Sequence, residues 1–352
     1  MSARIAVARA VFDAAYFSGL SRLLRPVAQG RGVILCLHHV LPATPGDGFA
    51  PNSNLETTPE FLDQMLLHLK SRGYRFLSLD DVVRELQSGE TPEKPFAVFT
   101  LDDGYRDNLV HGAPVFRRHA CPYAVYVCSG LVNGTTEMWW RALEDIIRRS
   151  AGRSFTVAGQ RFQVGDAGAA SFNAAWDFLF PRLQALPEKG QRVWIRDAAK
   201  GCGLDLAQQC RASLMTWDEV REMGRDPLAT IGAHTVNHFV TSKLSADEAL
   251  RELADSKAEL ERELGRLVPH FAFPYGNVAH AGPRDFAIAA RAGFATAVTT
   301  RLGSVHAAHA SHLHALPRII VSSRFARRRW VEVLASGTAG YIFNRGRTLN
   351  IG

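Results

Sequence analysis

Two aspartates, Asp102 and Asp103, end the apolar run Phe96–Leu101 and are followed at once by Gly104. Carboxylates at the carboxyl end of a buried strand lie where sites assemble in parallel α/β sheets. Successive strand residues point to opposite sides, so one carboxylate can serve a metal while its neighbour faces a substrate. Capping of the next helix is the plainer role for such a pair. A second apolar run, ending at Ala233, leads into His234-Thr-Val-Asn-His238. Histidines four apart meet on one face of a helical turn and can hold one ion together. With a carboxylate from another strand end they make a two-histidine, one-carboxylate set. Such pairs also arise by chance among thirteen histidines, so the joint occurrence with the aspartates carries the argument. Third, Phe271-Ala-Phe-Pro-Tyr-Gly276 runs into a tight turn whose backbone N–H groups, freed from the ladder, can face a developing oxyanion. Ordinary turn chemistry accounts for Pro-Tyr-Gly equally well.

These groups need a scaffold. Short apolar runs at Val33–Leu37, Phe96–Leu101, Tyr123–Cys128, Ala229–Ala233, Phe271–Phe273, Phe294–Thr299 and Pro317–Val321 alternate with helical periodicity. That pattern predicts a mainly parallel sheet buried on both faces. Helix starts are marked by Thr58-Pro59 and by capping boxes at Thr216/Glu219 and Ser245/Glu248, the last opening a helix that stops at Gly265. Between Trp140 and Arg211 the alternation gives way to glycine-rich, charged and aromatic stretches, among them Trp176-Asp-Phe-Leu-Phe180. A partly helical insertion over residues 141–212 is expected there. Residues 3–24 read as a helix with Phe12, Tyr16, Leu20 and Leu23 on one side. That stripe is expected to pack on the chain's own domain or on a partner subunit, with peripheral contact along a membrane interface as the second reading. The chain thus divides into an amphipathic segment 1–30, an α/β domain 31–325 and a basic tail 326–352.

Composition narrows the function. The 352 residues are 47% hydrophobic and 21% charged, ordinary for a globular protein, and no apolar stretch reaches the ~18 residues of a membrane span. Five cysteines without a Cys-x-x-Cys spacing argue against a disulfide framework and a cysteine zinc site. Residues 1–26 lack a clean apolar core with a cleavage site, so a cytoplasmic protein is expected. The 41 basic residues behind the net charge of +7 are scattered along the chain without an aromatic-interleaved basic stripe, so no nucleic-acid partner is expected. One local cluster, Arg324, Arg327, Arg328, Arg329 and Trp330, reads as a solvated helix face, with an anionic headgroup or phosphate contact as the alternative.

In this order the three motifs resemble the polysaccharide deacetylase family, also called the NodB-homology domain or carbohydrate esterase family 4. Thr100-Leu-Asp-Asp-Gly104 is similar to that family's Thr-Phe-Asp-Asp-Gly motif, with Leu101 in place of Phe, and His234-Thr-Val-Asn-His238 matches its His-Ser/Thr-x-x-His motif unchanged. The resemblance extends loosely over residues 31–325 and implies a distorted (β/α) barrel of about seven strands. It implies Asp103, His234 and His238 as metal ligands, Asp102 as general base, and the Tyr275 backbone N–H as an oxyanion donor. No arginine-rich motif precedes Pro274, and no Leu-x-His acid motif is plain near the C-terminus; His312-Leu-His314 lies before the apparent last strand. Leu35-Cys-Leu-His-His-Val40 instead resembles the N-terminal histidine motif of the poly-N-acetylglucosamine deacetylase subgroup. That likeness implies His38 as general acid, with His39 and His314 as alternatives. Arg318 is a candidate to steady the Asp102 carboxylate. Pro274, Trp139 and Trp140 are candidate substrate contacts, although paired tryptophans at a helix start are commonly core.

The expected cofactor is a divalent ion, zinc first and cobalt or nickel next. The expected reaction is removal of acetyl groups, N-acetyl foremost, from an acetylated polysaccharide or its lipid-linked precursor in exopolysaccharide or cell-envelope glycan synthesis. The expected place is the cytoplasm or the inner face of its membrane. Rival readings are a non-catalytic carbohydrate-binding protein on the same fold and a deacylase of a small amide. Non-haem iron oxygenases share the ligand set but need no second adjacent carboxylate, and a pure binder has no use for Asp102.

Overall fold

The computed structural model describes residues 3–44, 46–90, 92–322 and 325–352. Its strands are β1 (Gly32–Leu37), β2 (His39–Val40), β3 (Glu56–Thr57), β4 (Arg75–Phe76), β5 (Phe96–Leu101) and β6 (Tyr123–Val127). They continue as β7 (Ser154–Val157), β8 (Gln160–Gln163), β9 (Ala229–Ala233), β10 (His270–Ala272), β11 (Thr296–Val298) and β12 (Ile319–Ile320). The main sheet runs β11-β10-β9-β6-β5-β1-β12, and β4 pairs the start of β5 where β6 pairs its end. All its pairs are parallel. Strands β1, β5 and β6 are buried along their whole length, which is why they read as continuous apolar runs and not as alternation.

The sheet curls into a distorted (β/α) barrel. Leu316, just before β12, bridges Val298 in parallel, its N–H donating to Ala297 O at 3.1 Å and its carbonyl accepting from Thr299 N–H at 2.9 Å. The segment 316–320 therefore touches β11 at its start and β1 at its end, drawing the two sheet edges together. Around the sheet, the expected caps hold their helices: Thr58 accepts from the Phe61 N–H at 3.1 Å, the two capping boxes are reciprocal, and Gly265 ends the Ala246–Leu264 helix at φ 65°.

Two parts of the chain differ from the sequence reading. Strands β2, β3 and β4 and the antiparallel hairpin β7–β8 were not anticipated; the first three have two residues each, too few for a period, and the hairpin turns only Phe155, Val157 and Phe162 towards the neighbouring apolar cluster, a short alternation inside a glycine-rich stretch. The expected stripe Phe12–Leu23 is split. Phe12 is buried against Phe325, ring centroids 5.4 Å apart, whereas Leu23 is 76% exposed. Gly19, at φ 75°, breaks the helix into Ala3–Phe17 and Leu20–Ala28 and resets the facing of the second piece.

The C-terminal basic stretch folds as two helices, Arg328–Ala335 and Thr338–Phe343, packed on the N-terminal pair. Asp13 accepts from Arg329 Nε and Trp330 Nε1, both at 2.6 Å, and Arg327 lies 4.8 Å over the Trp330 ring. Arg324 of the same basic cluster lies outside the described residues. Among the described residues no helix is long and apolar enough to cross a membrane.

Residues 141–212 supply the rest of the Trp139–Arg148 helix, the hairpin, and the helices Ala169–Ala185, Glu188–Gly201 and Leu206–Ser213. They gather a second apolar core around Trp139, Leu143, Phe172, Leu179 and Ile195. It is distinct from the barrel core of Leu35, Phe99, Val125 and Phe271. Each side chain buried to this extent contributes roughly 1.5–3 kcal/mol. The second core also takes in Phe49 and Tyr105 from the barrel's loops, which fixes the insertion over the strand ends.

Candidate active site and metal centre

Strand β5 delivers the two aspartates, and the chain then turns through left-handed backbone at Asp103 (φ 75°) and Gly104 (φ 79°). The carboxylates diverge as their strand positions require. Asp102 is gripped by Arg318 through paired bonds, Nη1 to Oδ1 and Nη2 to Oδ2, each 2.7 Å. Arg318 is itself fully buried and donates to Thr299 O at 2.9 Å and Thr100 Oγ1 at 3.0 Å, so the fork is fixed at both ends. Burial alone would raise the Asp102 carboxyl, but the Arg318 guanidinium and then His234 outweigh it and hold the group below the usual carboxylate range.

Asp103, His234 and His238 form the other half. All three are nearly fully buried, and one ligand atom from each lies within 4.8 Å of the others. The His234 Nδ1 is 2.8 Å from the Ala272 carbonyl oxygen. A carbonyl only accepts, so that nitrogen carries the proton and Nε2 presents its lone pair. That lone pair faces Asp103 Oδ1 at 3.4 Å, with His238 Nε2 at 3.2 Å from the same oxygen. Burial pulls the His238 imidazole down to about 4 despite the carboxylate beside it, so it rests neutral. Asp103 Oδ1 has no hydrogen-bond partner among the described residues. Acceptors turned on one another in a dry site are costly without a cation between them, so the residues present fit a divalent ion.

The histidines come from an irregular loop and not from the helical turn that their spacing predicts. Thr235 and His238 are left-handed, at φ 63° and 55°, a conformation costly for such residues and held only by its surroundings. Glu252, on the Ala246–Leu264 helix, supplies them: it accepts from the Val236 N–H at 3.0 Å, the Asn237 N–H at 2.8 Å and Asn237 Nδ2 at 2.6 Å. From the other side the Gly130 N–H donates to the Val236 carbonyl at 2.9 Å.

Both halves open on one cleft of about 360 Å³, with Asp102, Asp103, His234 and His238 at its floor and His38, Trp140, Trp176, Phe180 and Tyr275 among its walls. His38 brings a ring nitrogen within 4.8 Å of an Asp102 carboxylate oxygen, and its carbonyl accepts from Asn108 Nδ2 at 2.7 Å. Burial lowers the His38 imidazole, only partly countered by Asp103 and Asp102. The two alternative acids stand elsewhere. His39 is stacked on Tyr105 at 3.5 Å with Nδ1 2.6 Å from Asp107 Oδ2. The His314 Nε2 is bound to the Phe294 carbonyl at 2.8 Å.

The Tyr275 backbone is left-handed (φ 60°), and its N–H meets no backbone acceptor among the described residues; it is available to an incoming oxygen. Trp140 lines the cleft, its ring 4.5 Å from that of His238. Trp139 does not: it is core, stacked on Phe180 at 5.0 Å, and its indole N–H donates to the Tyr275 hydroxyl at 2.7 Å. Pro274 is buried and is not among the residues that line the cleft. The sequence reading missed Trp176 and Phe180 as walls and Glu252 and Asp107 as supports. The spacing of the tryptophan and phenylalanine, four apart on a helix, puts them on one face but does not tell a core from a cleft; the acids, isolated in charged helices and loops, carried no signal.

Residues 192–296 match the family model described as polysaccharide deacetylase. In fold the chain is similar to the Streptococcus pyogenes deacetylase PplD, solved in complex with acetate, at TM-score 0.57 and 22% identity over 86% of this chain and 98% of that one. It is also similar to IcaB from Ammonifex degensii (0.54, 19%, covering 87% and 99%) and to a de-N-acetylase from Aggregatibacter actinomycetemcomitans (0.50, 15%, covering 82% and 94%). At these identities the likeness is one of fold. Among curated proteins none matches the chain.

Proposed function

We propose that this chain, whose residues 192–296 match the polysaccharide deacetylase model, is a metal-dependent hydrolase of that family that removes N-linked acetyl groups from an amino-sugar polymer or its lipid-linked precursor. One observation carries the reading. A carboxylate kept ionised by a buried arginine, Asp102, stands beside the converging donors Asp103, His234 and His238 at the floor of a single cleft. A carbohydrate-binding protein needs no such base. Two imidazoles and a carboxylate suit zinc, cobalt or nickel.

Bound by Asp103, His234 and His238, the ion supplies a Lewis acid that polarises the acetyl carbonyl and acidifies water. The chain's own groups do the rest. Asp102, its two oxygens oriented by Arg318, takes a proton from the water whose oxygen bonds to the acetyl carbon. The Tyr275 N–H donates to the oxygen that becomes negative. His38, entering the step protonated, gives that proton to the sugar nitrogen as the carbon–nitrogen bond breaks; once acetate and the free amine leave, the proton held by Asp102 passes through solvent to recharge His38, so one proton has gone from water to amine. Trp140, Trp176 and Phe180 offer apolar faces on which the sugar ring can stack.

The test is acetate release from acetylated glucosamine oligomers and from a lipid-linked N-acetylated glycan, after chelation and after zinc, cobalt or nickel is restored. Release should require metal, and Asp102→Asn should lower kcat by about 10²–10⁴-fold while stoichiometric metal binding persists. Full metal occupancy with no release from any of these substrates would sink the proposal in favour of a binder.

A further inference from the structure

The chain's net charge is not spread over the molecule. Residues 1–31 and 325–352 hold ten of its 41 basic residues, all arginine, and two of its 34 acids, Asp13 and Glu332. Residues 32–324 carry thirty-one basic against thirty-two acidic side chains. The excess of +7 therefore resides entirely in the two ends of the chain, and the fold brings those ends together as four packed helices. Both acids there are spent: Asp13 on Arg329 and Trp330, Glu332 on Arg72 and His68. Arg22, Arg328, Arg345 and Arg347 are exposed, and none has a carboxylate partner among the described residues.

The same helices carry an independent anomaly. Among the described residues twelve large hydrophobic side chains are exposed, and six of them, Val7, Phe17, Leu23, Val27, Ile342 and Phe343, lie on this cluster. Val7, Ala10, Ala14 and Phe17 are all exposed and follow a spacing of three and four, one face of the first helix. Leu23 and Val27 repeat the pattern on the second, beside Arg22. Phe17 is 73% and Leu23 76% exposed. Large apolar groups left in water across one subassembly mark a surface that something covers.

We propose that the terminal helix cluster docks this protein on the surface of an anionic phospholipid bilayer, apolar side chains entering the acyl boundary and arginines meeting the headgroup phosphates. The inference is independent of the catalytic reading. Duplex nucleic acid would satisfy the arginines but has no use for Phe17 or Leu23. A second copy meeting this face would set exposed arginines such as Arg22, Arg328, Arg345 and Arg347 against their own kind. An anionic membrane interface satisfies both features at once, through apolar burial and electrostatic attraction.

Co-sedimentation of the full-length protein with vesicles tests this, using phosphatidylcholine alone and phosphatidylcholine mixed with phosphatidylglycerol. Binding to the mixed vesicles only, weakening with salt, is expected. The variant Arg22→Glu with Arg345→Glu and Arg347→Glu should lose about five-fold or more in partitioning per position. Phe17→Ser with Leu23→Ser should lose binding at unchanged charge, and both variants should keep wild-type thermal unfolding and acetate release from soluble oligomers. The proposal is overturned if the protein stays in the supernatant with both vesicles or binds both equally. It also fails if the apolar variant binds as wild type and duplex DNA displaces the vesicles, which marks a general polyanion site. A dimer in light scattering that the apolar variant dissolves would assign the face to self-association and overturn it too.

Discussion

The Asp102–Arg318 pair decides how the site works and is also a liability for the fold. Both groups are buried, and each is satisfied mainly by the other. Removing one partner strands a charge, which costs more than the pair itself contributes. Arg318→Met should therefore lower stability in urea by about 3–5 kcal/mol, while Asp102→Asn with Arg318→Met should cost clearly less than the two single changes added together. A double-mutant cycle showing simple additivity would refute the coupling. The sign with pH follows from the depressed Asp102 carboxyl. Its stabilisation is present above the ordinary aspartate value of ~3.9 and is lost as pH falls through the lower folded value. The stability gap between wild type and Asp102→Asn should thus narrow only below about pH 4. The aspartate pair was legible because it ends an apolar strand and occurs together with a histidine pair at the end of a second one. The choice among histidines was not: His38 and His39 are adjacent, and only the register of β1 and β2 sends one into the cleft and the other onto Tyr105 and Asp107.

Elements were legible where a period or a cap could be counted, and the central strands β5 and β9 fall on the predicted residues. What escaped was the support given by one element to another. The histidine loop takes its shape from Glu252 on a helix and from Gly130 on a different one, and neither residue stands near the motif in sequence. A Cβ at Gly130 would meet the Val236 carbonyl oxygen well inside van der Waals contact, so the loop can approach only because that position is glycine. Glu252→Ala should lower metal affinity about 10–100-fold, the usual cost of losing a group that orients metal ligands. Gly130→Ala should lower it by displacing Val236 with every ligand still present. Metal titration by calorimetry, paired with circular dichroism to confirm folding, checks both. Unchanged affinity in folded protein would show that the loop holds its left-handed turns without them. The insertion helices were foreseen, but not that Trp176 and Phe180 wall the cleft, because an aromatic run at helical spacing reads the same whether it faces a core or a ligand.

At the scale of the whole molecule, the ligands Asp103, His234 and His238 lie on segments far apart in the chain, after β5 and after β9, so an ion that binds them ties together parts of the barrel that must separate on unfolding. Binding to the native state alone stabilises by RT ln(1 + [L]/Kd), about 2.7 kcal/mol at a hundredfold excess over Kd. For a chain of this size that should raise Tm by about 3–6 °C. Chelation should remove the increment, zinc should restore it, and Asp103→Asn should abolish it. Phe12→Ala provides the contrast. It opens the contact between the chain's two ends, Phe12 on Phe325 beside the Asp13–Arg329 pair, away from the cleft residues, and should lower Tm with and without metal alike, leaving the increment intact. Calorimetric scans of the three proteins with chelator and with zinc separate the two contributions. A metal increment that survives Asp103→Asn, or that disappears in Phe12→Ala, would mean that the ion binds elsewhere than at the floor of the cleft.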